Sequence, residues 1–104
     1  MIPVEKIKQI VNTYETLEKE LASPNLEKKD FVKKSKEYSI LGEVIKEAKS
    51  YINFEKEKKE LEKITEDKKS DKEMIQLAKN ELNQLSNKTE EYEKILKVFL
   101  LPKD

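Results

Sequence analysis

IQLAKNELNQLSNKTEEYEKILKVF, running from Ile75 to Phe99, decides the fold class of this chain. Ile75, Ala78, Leu82, Leu85, Thr89, Tyr92, Leu96 and Phe99 recur in alternating steps of three and four. A strand would alternate every second residue, so this spacing specifies a helix with one narrow apolar seam about 25 residues long. Just upstream, Ser70-Asp71-Lys72-Glu73 has the form of a capping box. In that reading the Ser70 hydroxyl takes the third amide while Glu73 reaches back, and the helix spans 71–101.

Composition points the same way. The chain has 104 residues, one glycine, three prolines and no cysteine or tryptophan. That is the length of one domain, and so few turn-formers favour long helices over many strands. Charged residues make up 42% and apolar residues 36%, but their periodic arrangement argues for a folded chain over a disordered one. Basic and acidic residues balance at 22 each, and every basic residue is lysine. Interspersed charge gives no global field for nucleic acid, and no arginine is present for bidentate contacts to phosphate or guanine. Sequence-specific nucleic-acid binding by the domain is therefore not expected. Neither a signal peptide nor a membrane span can be read, and the default location is the cytoplasm.

Two further helices precede the seam. Val4, Ile7, Val11 and Tyr14, continued by Leu17 and Leu21, place the first over 3–22, with Pro3 in its first turn and Ser23-Pro24-Asn25 ending it. The second is read as continuous over 27–66. Its first half carries two neighbouring stripes: Phe31, Tyr38, Leu41, Ile45, Ala48 and Ile52, and beside them Val44, Tyr51 and Phe54. So wide a face suits two partners at once. Beyond Phe54 only Leu61 and Ile64 remain, enough for one partner. Gly42 falls mid-helix, either to let another helix approach or as a neutral substitution costing about 1 kcal/mol against alanine.

These lengths imply an all-α domain: a three-helix bundle with a long antiparallel hairpin and a coiled-coil-like tip over about residues 55–80. The hairpin should pair Ile64 with Ile75, Leu61 with Ala78 and Ile45 with Tyr92. The first helix should cover the wide-stripe half, Phe31 to Ile52. Glu15–Lys19, Glu55–Lys59, Glu90–Lys94 and Glu93–Lys97 are i, i+4 pairs in the favourable order, each contributing a few tenths of a kcal/mol.

Chemistry is scarce. Without histidine or cysteine, the common transition-metal sites and nucleophile–base pairs cannot be built. One glycine cannot form a phosphate loop, and no cofactor is expected. The carboxylates lie among lysines on wet faces, and no residue is assigned a catalytic, metal-binding or cofactor-binding role. Tyr14, Tyr38, Tyr51 and Tyr92 lie on or beside apolar stripes and read as core or boundary residues. Lys56, Lys58, Lys59, Lys63, Lys68, Lys69 and Lys72 offer a contact to an acidic or RNA partner. Interspersed Glu55, Glu57, Glu60, Glu62 and Glu66 neutralise that segment, and the solvated reading is preferred.

Three stretches together carry a resemblance. Ser35-Lys36-Glu37-Tyr38-Ser39-Ile40-Leu41 resembles the S-[KR]-E-Y-[AS]-x-L of the N-terminal domain of the bacterial and organellar peptide chain release factor 1 family. Asp71-x-Glu73-Met74-x-x-Leu77-Ala78-x-x-Glu81-Leu82 resembles the opening of that domain's last helix. Leu100-Leu101-Pro102-Lys103-Asp104 is similar to the exit into the decoding and catalytic domains. Lys34 departs from the family, standing where an apolar residue is usual.

The resemblance implies a positioning and interaction module in translation termination. Its implied partners are the stalk base of the large ribosomal subunit, the GTPase that recycles the factor, and the remaining domains of the same protein. The Gly-Gly-Gln loop that promotes peptidyl-tRNA hydrolysis in the family has no counterpart among these residues. A greasy Phe99-Leu100-Leu101 so near the last residue then reads as a helix end leading into a further domain. Two other readings stand beside this one. In the first, a stand-alone coiled-coil adaptor dimerises through Phe99, Leu100 and Leu101. In the second, a hydrolase works through Glu60, Glu62 and Glu66.

Overall fold

The computed structural model describes residues 2–101, all of whose regular structure is helical. Helix α1 runs Val4–Leu21, α2 Lys28–Gly42, α3 Ile45–Glu66 and α4 Lys72–Leu100. The all-α expectation holds. The molecule measures 61 × 32 × 16 Å with a radius of gyration of 18.5 Å. A compact domain of this length would have a radius of gyration near 13 Å, so the fold is a rod and not a ball.

The second helix is not continuous. It divides at Glu43 and Val44, where Glu43 N–H donates to the Ile40 carbonyl (3.2 Å) and Val44 N–H to that of Leu41 (3.1 Å). These bonds reach back three residues instead of four, and Val44 leaves helical geometry at φ −123°, ψ 5°. Ala48 N–H then picks up the Val44 carbonyl at 2.8 Å and the helix restarts. The two stripes visible in the sequence are the consequence of this break. α2 turns Tyr38 and Leu41 inward, whereas α3 buries Ala48 and Tyr51 just after the buried Val44. Gly42, with the lowest helix propensity short of proline, stands where the first segment ends. A methyl group there would meet Tyr14 Cε1 at 3.6 Å, an ordinary contact, so close approach does not require glycine at this position.

The break gives α1 two neighbours: it packs on both α2 and α3, and α3 packs on α4. The first helix therefore lies on the wide-stripe half, as its apolar face demanded. The core sits at this thick end. Ile2, Ile7 and Ile10 meet Val44, Ala48 and Tyr51, with Leu96 arriving from α4; Tyr92 and Phe99 pack around them half-buried. A second join holds α2 to α1, where Tyr14 and Tyr38 stack with ring centroids 4.3 Å apart. An ion pair between Glu20 and Lys34 lies on the same side. Lys34, off-pattern as a member of an apolar stripe, thus has a partner on the neighbouring helix.

The seam of α4 is used as read, with Ala78, Leu85 and Leu96 buried and Ile75, Leu82, Thr89, Tyr92 and Phe99 half-buried. The pairing along it differs from simple counting back from the turn. Leu61, Ile64 and Ala78 do line one groove at the tip. Lower down, however, Tyr92 meets Phe54 edge-on at 5.1 Å. Side chains on a helix lean toward its N-terminus, and in an antiparallel pair the two leans add. For long rings this carries the meeting point several residues along.

Smaller corrections are also physical. Pro3 precedes the first helical residue of α1 and caps it from an extended conformation. The cap of α4 is Asp71 and not Ser70: Met74 N–H donates to Asp71 Oδ1 at 2.8 Å. A carboxylate is a stronger acceptor than a hydroxyl and also complements the positive helix end. Among the described residues, ion pairs within 4 Å are Lys8–Glu5 and Lys34–Glu20, and none of the four anticipated i, i+4 pairs closes. Exposed pairs gain too little to hold two long side chains in one geometry. Replacing Asp71 by alanine should therefore cost about 1 kcal/mol in urea denaturation, and Ser70→Ala only a few tenths. The reverse order would restore the capping box.

Candidate interaction surfaces

The described residues build no reaction centre. No group of three or more Asp or Glu residues among them is placed to hold a metal ion. Glu60, Glu62 and Glu66 are all exposed. The hydrolase reading has no geometry to stand on. Concavities are open grooves: one between Glu57 and Leu61 on α3 and Glu81, Leu85 and Lys88 on α4, another where Leu100 faces Ile10 and Leu41.

Among the described residues, one side chain with a polar group is fully interior. Tyr51 is 0% exposed and donates its phenolic proton to Glu93 Oε1 at 2.9 Å, with the Ile2 carbonyl oxygen a second acceptor at 3.4 Å. One proton cannot serve both, and the shorter contact to a carboxylate takes it. Burial pushes the Tyr51 phenol well above its ordinary value. The hydrogen bond to Glu93 and the charges of Glu93 and Glu55 push in the same direction, and the Ile2 carbonyl contact opposes them slightly. This arrangement ties α3, α4 and the N-terminal segment together. It is a structural joint, since the phenol has no route to solvent. Sequence reading made Tyr51 a core or boundary residue but assigned Glu93 to a solvent pair with Lys97.

What remains for partners is surface. Apolar side chains stand out in three places: Phe31, Val32 and Ile40 on α2, Met74 and Leu77 at the tip, and Ile95, Val98, Leu100 and Leu101 near the end of α4. Val98 is 71% exposed, the most of any of these. Phe99 turns the other way into the core, so the adaptor reading's Phe99-Leu100-Leu101 face does not exist as one patch. At the tip, Lys56, Lys59, Lys63, Lys68, Lys69 and Lys72 are exposed and Lys58 is half-buried. No helix among the described residues is long and apolar enough to cross a membrane.

Comparison with known proteins supplies what geometry alone does not. The model of the PCRF domain matches residues 10–104. The chain belongs to the PCRF domain family. It is 50% identical to peptide chain release factor 1 of Pelagibacter ubique (strain HTCC1062), covering 100% of this chain and 29% of that protein. It is 39% identical to the same factor of Bartonella tribocorum (strain CIP 105476 / IBS 506), over 99% of this chain and 28% of the relative. Identity to the factor of Rickettsia canadensis (strain McKiel) is 33%, over 96% and 28% respectively. The chain thus spans less than a third of the length of these relatives. No solved structure matches it significantly.

The PCRF stretches singled out in the sequence now have places. Ser35–Leu41 lies on α2, with Tyr38 stacked on Tyr14, and Asp71 is the cap that starts α4. Both have structural duties. Of the closing Leu100–Asp104 stretch, Pro102, Lys103 and Asp104 lie outside the described residues.

The Tyr51 joint has a pH signature. Because its folded pKa lies above the unfolded value near 10, the folded state holds the proton more tightly. The resulting stability is complete below about pH 10 and is lost as pH rises through the folded value. Tyr51→Phe should lower stability at pH 7 by about 2 kcal/mol, by loss of a hydrogen bond to a charged acceptor. It should also flatten the decline of stability above pH 10 in urea titrations. An equally steep alkaline decline in the variant would exclude Tyr51 as its source.

Proposed function

We propose that this chain is the N-terminal helical domain of a type 1 class I peptide chain release factor, a positioning and interaction module in stop-codon-dependent translation termination. The observation that carries the reading is the PCRF match over residues 10–104, joined to 50% identity along the whole chain with a release factor. The rod shape supports it: a solid core at one end and a bare hairpin at the other make a spacer with exposed faces. In this reading the domain contacts the ribosome at the stalk base of the large subunit. It also meets the recycling GTPase and packs beside the other domains of its own factor, in the bacterial cytoplasm. Hydrolysis of peptidyl-tRNA belongs to the Gly-Gly-Gln loop of another domain, since this chain holds only Gly42.

The test uses ribosomes stalled at a stop codon with labelled peptidyl-tRNA. The chain alone should release no peptide, and in excess it should compete with the full-length factor and slow release. Failure both to bind ribosomes and to compete would overturn its role as a contact module. Peptide release by the chain itself would overturn the division of labour.

A further inference from the structure

α2 is the least integrated helix of the fold: it buries no residue completely and meets the rest of the molecule mainly along α1. Its outward face is unusual in a chain whose charges balance overall. Lys29, Lys33, Lys36 and Ile40 follow one another at steps of four, three and four, and Val32 stands beside them one turn before Lys36. That spacing puts all five on a single helical stripe. All are exposed, with Val32 at 49% and Ile40 at 43%. Lys28 adds a fourth exposed ammonium at the start of the helix. The acids of the helix border the stripe along one flank, Asp30 one turn before Lys33 and Glu37 one turn after it, and leave the lysines in excess. Glu37 faces the groove shared with Lys6 and Gln9, and Asp30, seven residues earlier, falls on the same flank. Glu43 stands past the last helical residue. Among the described residues, no carboxylate comes within 4 Å of Lys29, Lys33 or Lys36.

We infer that this stripe is a docking surface for an acidic protein face carrying aliphatic side chains; the inference rests on the release-factor reading and names a partner chemistry for it. Two features choose the occupant. Clustered lysines complement carboxylates or phosphates equally well, but a phosphate backbone gives Val32 and Ile40 nothing to bury against. An acidic surface with leucine- or valine-like side chains satisfies both halves of the stripe. A second copy of this chain docking symmetrically would set lysines against lysines, so self-association through this face is disfavoured. Lysine without arginine also suits carboxylates met as point charges over planar bidentate recognition. Gly42 and the break after it let α2 take a direction of its own.

The experiment places a photocrosslinking amino acid at position 32 of the full-length factor that carries this domain, bound to stop-codon ribosomes. Position 83, on the outer face of α4, serves as the control. A crosslink from position 32 to an acidic protein, absent from the control, is the expected result. A crosslink to ribosomal RNA, or none from position 32, overturns the inference. Two variants supply an independent readout on the same ribosomes. The triple change Lys29→Glu, Lys33→Glu, Lys36→Glu should weaken binding at least about tenfold, by placing like charges together. Val32→Ser with Ile40→Ser should weaken it several-fold, a loss that contact with phosphate alone would not give. Both sets lie on an exposed face, and unchanged helical content and melting temperature would confirm that the fold is intact. If wild-type factor binds and both variants bind as well as it does, this inference fails while the function stands. If wild-type factor does not bind ribosomes, the proposed function fails and takes the inference with it.

Discussion

Tyr51 brings a phenol to the one place in this rod where α1, α3, α4 and the N-terminal segment converge, and its hydroxyl has to be satisfied there. Burying the ring contributes about 2–3 kcal/mol, but an unanswered hydroxyl would give back a comparable amount. Glu93 answers it from α4, and the half-buried carboxylate is itself stabilised by receiving a donor. With fully buried Ile7 and Leu96 packed about the same ring, the thick end of the molecule becomes a single cooperative joint. Everything farther out hangs from it. The hairpin tip is sealed by one narrow seam, and α2 is held by the Tyr14–Tyr38 stack and the Glu20–Lys34 pair.

This division of labour accounts for what the sequence disclosed. The seam from Ile75 to Phe99 repeats without interruption, and so strong a period leaves no alternative to a helix; α4 was legible almost to its ends. The break at Val44 was not, because the residues around it have respectable helix propensity and only Gly42 hints at an ending. Its trace was the doubling of the stripe, read as one wide face when it was two helices with displaced faces. Pairing along the hairpin was misplaced for a geometric reason: rings such as Phe54 and Tyr92 meet where their tips reach and not where their backbones sit level. The choice between Ser70 and Asp71 as cap lay within one residue, and the charge decided it.

The surfaces were harder to read than the core. A buried residue betrays itself by periodicity, whereas a docking lysine looks like any solvated lysine until the helix carrying it has been placed. The stripe on α2 emerges only once the break has set the helix apart from α3 and the Glu20–Lys34 pair has removed one lysine from the tally. Glu93 shows the converse: its spacing to Lys97 suggested a solvent pair, while a buried phenol on another helix had the stronger claim. Family membership rests on similarity spread along the whole chain.

A double-mutant cycle between Tyr51 and Glu93 tests the central joint most directly, with stabilities of Tyr51→Phe, Glu93→Ala and the double variant measured in urea at pH 7. If the hydroxyl and the carboxylate hold each other at the junction, the coupling energy should be at least about 1 kcal/mol, within the range for residues in direct contact. Additivity within about 0.5 kcal/mol would mean that each contributes independently, and the joint would then rest on ring packing alone.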